Sequence, residues 1–138
     1  MFNLSKIYNN TCLFSQKFRD IFLNIFSFLY IRIYLILLLG FNAFIWFTAY
    51  YININVSQDL VILHYNVNFG VDLIGNVNKI YIIPLLGLII IILNFILLFI
   101  FSKYKYFNFV AHLLLITCLI SSLFLILALS SIYLINFR

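Results

Sequence analysis

A chain of 138 residues that is 67% hydrophobic and only 8% charged, with a mean hydropathy of +1.20, is not an ordinary water-soluble domain. Such domains are about half apolar and roughly a quarter charged, and a core this rich would lack polar surface to cover it. The net charge of +5 comes from eight Lys and Arg against three Asp. These basic residues flank apolar runs and form no stripe among exposed aromatics, which favours lipid headgroups as their partners and argues against nucleic acid.

The first patterned segment, 15–30, carries Lys17, Asp20, Asn24 and Ser27 at helical spacing on one narrow face. Phe18, Phe22, Ile25, Phe26 and Leu29 cover the rest. This pattern predicts an amphipathic helix lying in the bilayer interface with its broad apolar face in the acyl boundary. Merging it with the next segment would carry Arg32 into the membrane. An unpaired Arg at mid-bilayer costs about 2.5–3.5 kcal/mol on insertion scales, so a break before the first span is expected. The lead is too long for a cleaved signal peptide and reads as a signal anchor.

Three apolar runs follow, at 33–52, 80–101 and 109–135, with no Lys, Arg, Asp or Glu in any of them. Each meets the length of about 20 residues that a hydrocarbon core of about 30 Å requires. The fold class expected is therefore an all-α membrane protein, one domain over 1–138. Three transmembrane helices follow the interfacial helix, with a structured outer loop at 53–79. Pro84, Gly87, Ile91 and Asn94 fall on one face of the second span. Thr117, Ser121, Ala128 and Ser131 form a stripe on the third. Both read as packing seams, with Ser and Thr also able to bond carbonyls of their own helix. Cys12 and Cys118 should differ in depth and remain unpaired thiols. His112, near the start of the third span, reads as an interfacial residue.

Orientation follows from charge. Lys6, Lys17, Arg19 and Arg32 precede the first span, and Lys103 and Lys105 separate the second and third, whereas the 53–79 loop holds Lys79 with Asp59 and Asp72. The positive-inside rule places the amino terminus and the 102–108 loop in the cytoplasm, and the 53–79 loop and carboxyl terminus outside. Tyr30 and Tyr34 at one edge, and Trp46, Tyr50, Tyr51 and Tyr81 at the other, suit the headgroup level.

Within the outer loop Val61 to Tyr65 is β-prone, and Gly70 and Gly75 supply turn points. So apolar a loop should fold back over the helix ends, with His64, Asn66 and Asp72 bonding locally. The order His64-Tyr65-Asn66, Gly70, Asp72, Gly75, Lys79 and then Pro84 opening an apolar helix resembles a bacterial membrane domain of unknown function. That domain occurs in the immunity protein for the sporulation-delaying toxin and in short uncharacterised membrane proteins of the candidate-phyla bacteria. The resemblance covers 33 to about 101. It departs in the shorter Gly70-Val71-Asp72 spacing and in the lack of a Pro before His64. It implies a shared loop motif and no particular chemistry.

His64, Asp59 and Asp72 do not make a recognised metal site, and no catalytic constellation or cofactor motif is present in the sequence. The expectation is a small, non-enzymatic integral membrane protein of the cytoplasmic membrane. It would act by binding or assembly with the bilayer, a membrane-protein partner or a second copy. An accessory subunit of a respiratory or secretion complex, bacterial or organellar, is the alternative. Toxin immunity or envelope-stress signalling rests on the resemblance alone. The orientation is tested by cysteine-accessibility labelling in intact cells. Asn76→Cys should react with an impermeant reagent and Asn108→Cys should not; the opposite pattern reverses the topology.

Overall fold

Where the apolar runs stand in the sequence, the computed structural model has long helices. It describes residues 4–56, 60–66, 68 and 70–137. In chain order these form α1 (Leu4–Ser27), α2 (Leu29–Asn55), β1 (Leu60–Asn66), β2 (Gly70–Asn76), a 3₁₀ helix (Val77–Tyr81), α3 (Ile82–Phe101) and α4 (Phe107–Asn136). Three stretches of 27, 25 and 30 residues, Leu29–Asn55, Val77–Phe101 and Phe107–Asn136, are long and apolar enough to cross a membrane. At 1.5 Å per residue the shortest reaches about 38 Å, beyond the roughly 30 Å of a hydrocarbon core. Only 22% of each span's most apolar window is buried within the chain. A surface this apolar requires lipid as its solvent, and the chain is a multi-pass membrane protein.

The spans outrun the apolar stretches read from sequence by a few residues at most ends. Helices continue into the headgroup layer as long as their end groups find partners. At the end of α2, Asn55 Nδ2 donates to the Tyr51 carbonyl at 2.8 Å, and the Val56 N–H donates to the Ile52 carbonyl at 3.0 Å.

The break before the first span exists, and it is one residue wide. Phe28 is extended (φ −73°, ψ 118°), and the Ser27 hydroxyl donates to the Asn24 carbonyl at 2.6 Å, closing α1. Arg32 consequently lies in the first turn of α2 and is exposed. The preceding helix is longer than the 15–30 segment, starting at Leu4, while Leu29 and Tyr30 belong to α2. Lys17, Asp20, Asn24 and Ser27 all face outward, and Ile25 is fully buried. Phe18 stacks on Phe99 with ring centroids 5.2 Å apart, and Phe26 lies 6.1 Å from Phe95. The amphipathic helix therefore folds back across the terminal turns of α3.

Two apolar clusters fill the bundle. Ile25, Ile31, Leu38, Ile91, Leu98, Phe107, Ala111, Leu115 and Cys118 pack at the end nearer the 102–106 turn. Ile45, Ala49, Ile52, Val61, Ile80, Leu129 and Ile132 pack at the opposite, hairpin end. Between them lies a thin polar layer. Buried Asn42 donates from Nδ2 to the Pro84 carbonyl at 3.0 Å, and Ser122 donates to the Cys118 carbonyl at 3.0 Å.

The seam expected on α3 is present in part, since Pro84, Gly87 and Ile91 are buried, while Asn94 is half-buried and donates to the Ile90 carbonyl of its own helix at 2.9 Å. The one expected on α4 is not. Thr117, Ala128 and Ser131 are exposed and Ser121 is half-buried, while Ala111, Leu115, Cys118, Ser122, Leu129 and Ile132 form the true contact face. The outward hydroxyls are satisfied inside their own helix, Thr117 by Leu114 O at 2.9 Å and Ser121 by Thr117 O at 2.9 Å. They need no neighbour, so nothing draws them inward.

Gly87 is a close-approach position. A Cβ there would stand 2.7 Å from Asn42 Nδ2 and 3.2 Å from Leu125 Cδ1. We expect Gly87→Ala to lower the melting temperature in detergent. The double variant Asn42→Ala/Gly87→Ala should lose less than the sum of the two single changes, by a coupling of about 0.5–3 kcal/mol. Additive losses would show that Asn42 and Gly87 do not share this contact.

Candidate functional site

The 53–79 loop carries a β-hairpin clamped onto the ends of the spans. β1 and β2 pair antiparallel in the register Leu60↔Asn76, Val61↔Gly75, Ile62↔Ile74, His64↔Leu73, Tyr65↔Val71 and Asn66↔Gly70, with irregularities on either side of His64. Gly70 opens β2 at φ +80°, a conformation that a side chain strains, which is why glycine stands there. Val61 is 1% exposed and joins the cluster of Ile45, Ile52, Ile80 and Leu129, so the hairpin shares the core of the bundle.

A single amide makes the clamp. Asn136, in the last turn of α4, accepts from the Ile62 N–H through Oδ1 at 2.9 Å and donates from Nδ2 to the Ile62 carbonyl at 2.9 Å. The side chain thus stands in for one residue of a neighbouring strand and closes part of the open edge of β1. Its Nδ2 also donates to the Ile132 carbonyl at 2.8 Å, which fixes the amide against its own helix. A second tie joins α2 to the 3₁₀ helix, Asn53 Nδ2 donating to Asn78 Oδ1 at 3.0 Å. Asn76 Oδ1 accepts from the Asn78 N–H at 2.9 Å and so starts that 3₁₀ helix. Trp46 stacks over Tyr81 at 5.8 Å, and Tyr133 packs between Tyr51 at 6.2 Å and Phe137 at 4.7 Å.

The residues singled out in the sequence are thereby distributed. His64, Tyr65 and Asn66 lie on β1, and Gly70, Asp72 and Gly75 on β2. His64 is exposed. The side chains of Tyr65, Asn66 and Asp72, and all of Asp59, lie outside the described residues. Gly75 is buried beneath Leu63 and Lys79, since a Cβ there would come within 2.7 Å of Leu63 Cδ1 and 3.1 Å of Lys79 Cδ. Lys79 lays its stem over this glycine from the 3₁₀ helix and keeps its own surface exposed. Pro84 stands apart, in the first turn of α3, its carbonyl the acceptor for Asn42. The motif thus runs through a structural cap and into the helix that supports it. Sequence reasoning missed Asn136, Asn53 and Asn78, the side chains that hold this cap in place.

The cap leaves large apolar side chains exposed, with Leu60, Leu73 and Ile74 at 60%, 52% and 58% exposure. Such an arrangement suits contact with another apolar surface.

At the other end of the bundle, Asn24 and Phe28 from α1 and its break meet the α3–α4 turn and the start of α4. Together they enclose an open recess of about 460 Å³ that also involves Ser102, Lys105, Tyr106 and Asn108. The Tyr30 hydroxyl donates to Asn108 Oδ1 at 3.1 Å, and the Tyr30 ring stacks on His112 at 4.4 Å. Compared with protein-family models, curated proteins and solved structures, the chain matches none.

The clamp is open to direct measurement. Asn136→Ala removes both partners of Ile62, and an unpaired buried backbone group costs about 1–3 kcal/mol. We expect amide hydrogen exchange at Ile62 to accelerate by about tenfold or more, given about 1.4 kcal/mol per factor of ten. Asn55→Ala, whose amide serves only its own helix, should leave that amide unchanged. Equal protection in both variants would remove Asn136 from this role.

Proposed function

We propose that this chain is a non-enzymatic protein of the cytoplasmic membrane that works by binding or assembly, with its hairpin-capped end as the face that meets a partner. One observation carries the reading. The hairpin is held by the Asn136 amide and by a shared core, yet it leaves Leu60, Leu73 and Ile74 exposed. Ordering a loop costs about 1–2 kcal/mol per residue in backbone entropy. A fixed loop with an apolar outer surface is therefore better suited to contact than to solubility.

The partner on this reading is another membrane protein, a second copy of the chain included, and neither nucleic acid nor a cofactor. The charge asymmetry supports an orientation with the cap outside. The likeness of the hairpin segment to the bacterial domain found in the toxin-immunity protein belongs to the same proposal. On this view the His64–Pro84 motif builds a comparable cap, and the activity of that protein is not carried over.

A photo-crosslinking amino acid at Leu73 tests the reading in native membranes. It should give discrete adducts of higher mass, whose composition names the partner or the second copy. The same probe at Phe124, a span residue 66% exposed, should give lipid adducts only. Lipid adducts alone from both positions would overturn the proposal.

A further inference from the structure

At the end opposite the hairpin, the recess between α1, the α3–α4 turn and α4 combines donors with an aromatic lining. Lys105, Asn24 and Asn108 supply its polar side chains together with Ser102, whose hydroxyl donates to the Phe99 carbonyl at 2.8 Å, and Phe28 and Tyr106 are among its walls. Among the described residues no carboxylate lines it. Lys105 can only donate, and its Nζ lies 5.6 Å from the Tyr106 ring centre, at the rim of the recess.

Asn108 is oriented by a partner outside the recess. Its Oδ1 is taken by the Tyr30 hydroxyl, which turns the Nδ2 donor away from Tyr30. The same place receives the start of the 30-residue helix α4, which has no acidic residue in its first turn and no side-chain cap. The Lys105 ammonium and the Asn108 amide thus line the recess beside the start of α4. There the Phe107 N–H is taken by the Tyr104 carbonyl at 3.0 Å and the Val110 N–H by the Tyr106 carbonyl at 3.2 Å, leaving those of Asn108 and Phe109 to face an anion.

We propose that this recess binds a phosphate-bearing anion through Lys105, Asn108 and the first turn of α4. The donor set recognises a phosphate whether it belongs to a lipid headgroup or is free in solution. At about 460 Å³ the space also admits what is attached to a phosphate, and Phe28 and Tyr106 suit a glycerol backbone more than open water. Neighbouring Phe109 and Tyr106 are 71% and 59% exposed, which puts the mouth beside the surface that faces lipid. The site is independent of the hairpin face and stands or falls separately from it.

Native mass spectrometry of the full chain in mild detergent, with phosphatidylglycerol, phosphatidylcholine or inorganic phosphate added, reads the site directly. Phosphatidylglycerol should be retained over phosphatidylcholine, and Lys105→Ala should weaken that preference about fivefold, the effect of one basic residue near a lipid surface. Lys103→Ala, outside the lining, should change little. Asn108→Asp is the decisive variant. It keeps an acceptor for Tyr30 and adds an acid to the first turn of α4, which favours the helix. Its melting temperature should therefore hold or rise while the anion is lost.

Displacement of the lipid by inorganic phosphate would identify a site for the free ion. Retention of phosphatidylglycerol in excess phosphate would identify a headgroup site. Equal retention of the two lipids without phosphate binding would overturn the proposal. So would an Asn108→Asp variant that binds like the parent.

Discussion

In hydrocarbon, an apolar side chain gains little by leaving lipid for a neighbouring helix, so close backbone approach and interhelical hydrogen bonds decide how spans sit. This chain relies on a few amides for that purpose. Asn42 reaches across to the Pro84 carbonyl, and the absence of a Cβ at Gly87 makes room for it. Asn53 meets Asn78, and Asn136 meets Ile62. The two apolar clusters then fill the space these contacts define. Pro84 adds to the arrangement, because it stands in the first turn of α3, where a missing N–H is tolerated.

The parts legible in the sequence are those governed by local chemistry. Long runs without charge became spans, because one solvent acts along their whole length. The position of Arg32 demanded a break, and Phe28 provides one. The β-branched run from Val61 and the glycine at 70 became a strand and the turn that reverses it. The stripe on α4 was misread for a physical reason. In a helix that is apolar all round, periodicity does not distinguish a lipid-facing side from a protein-facing one. Small hydroxyls are content in either place, since Ser121 and Ser131 bond carbonyls of their own helix. Asn136 was illegible for another reason, as its partner Ile62 lies 74 positions away.

The bundle has two chemically different ends. Asparagine amides, a lysine stem and aromatic rings finish the hairpin end, which leaves Leu60, Leu73 and Ile74 exposed beside His64, Asn76 and Lys79. At the other end α1 crosses α3 through stacked phenylalanines, and Lys103 and Lys105 stand in the short connection between α3 and α4. Cys118 lies buried within the bundle and Cys12 is exposed on α1, so the two thiols occupy unlike surroundings.

The clamp on the hairpin also has a meaning for biosynthesis. Residues 60–76 leave the ribosome well before Asn136 is added, and a two-stranded hairpin is marginally stable by itself. Until the last turn of α4 is in place, the Ile62 backbone has no amide to receive it. The cap therefore locks only after α4 is in place, although its strands precede α3 and α4 in the chain. Before α4 has inserted, that edge of β1 stands open.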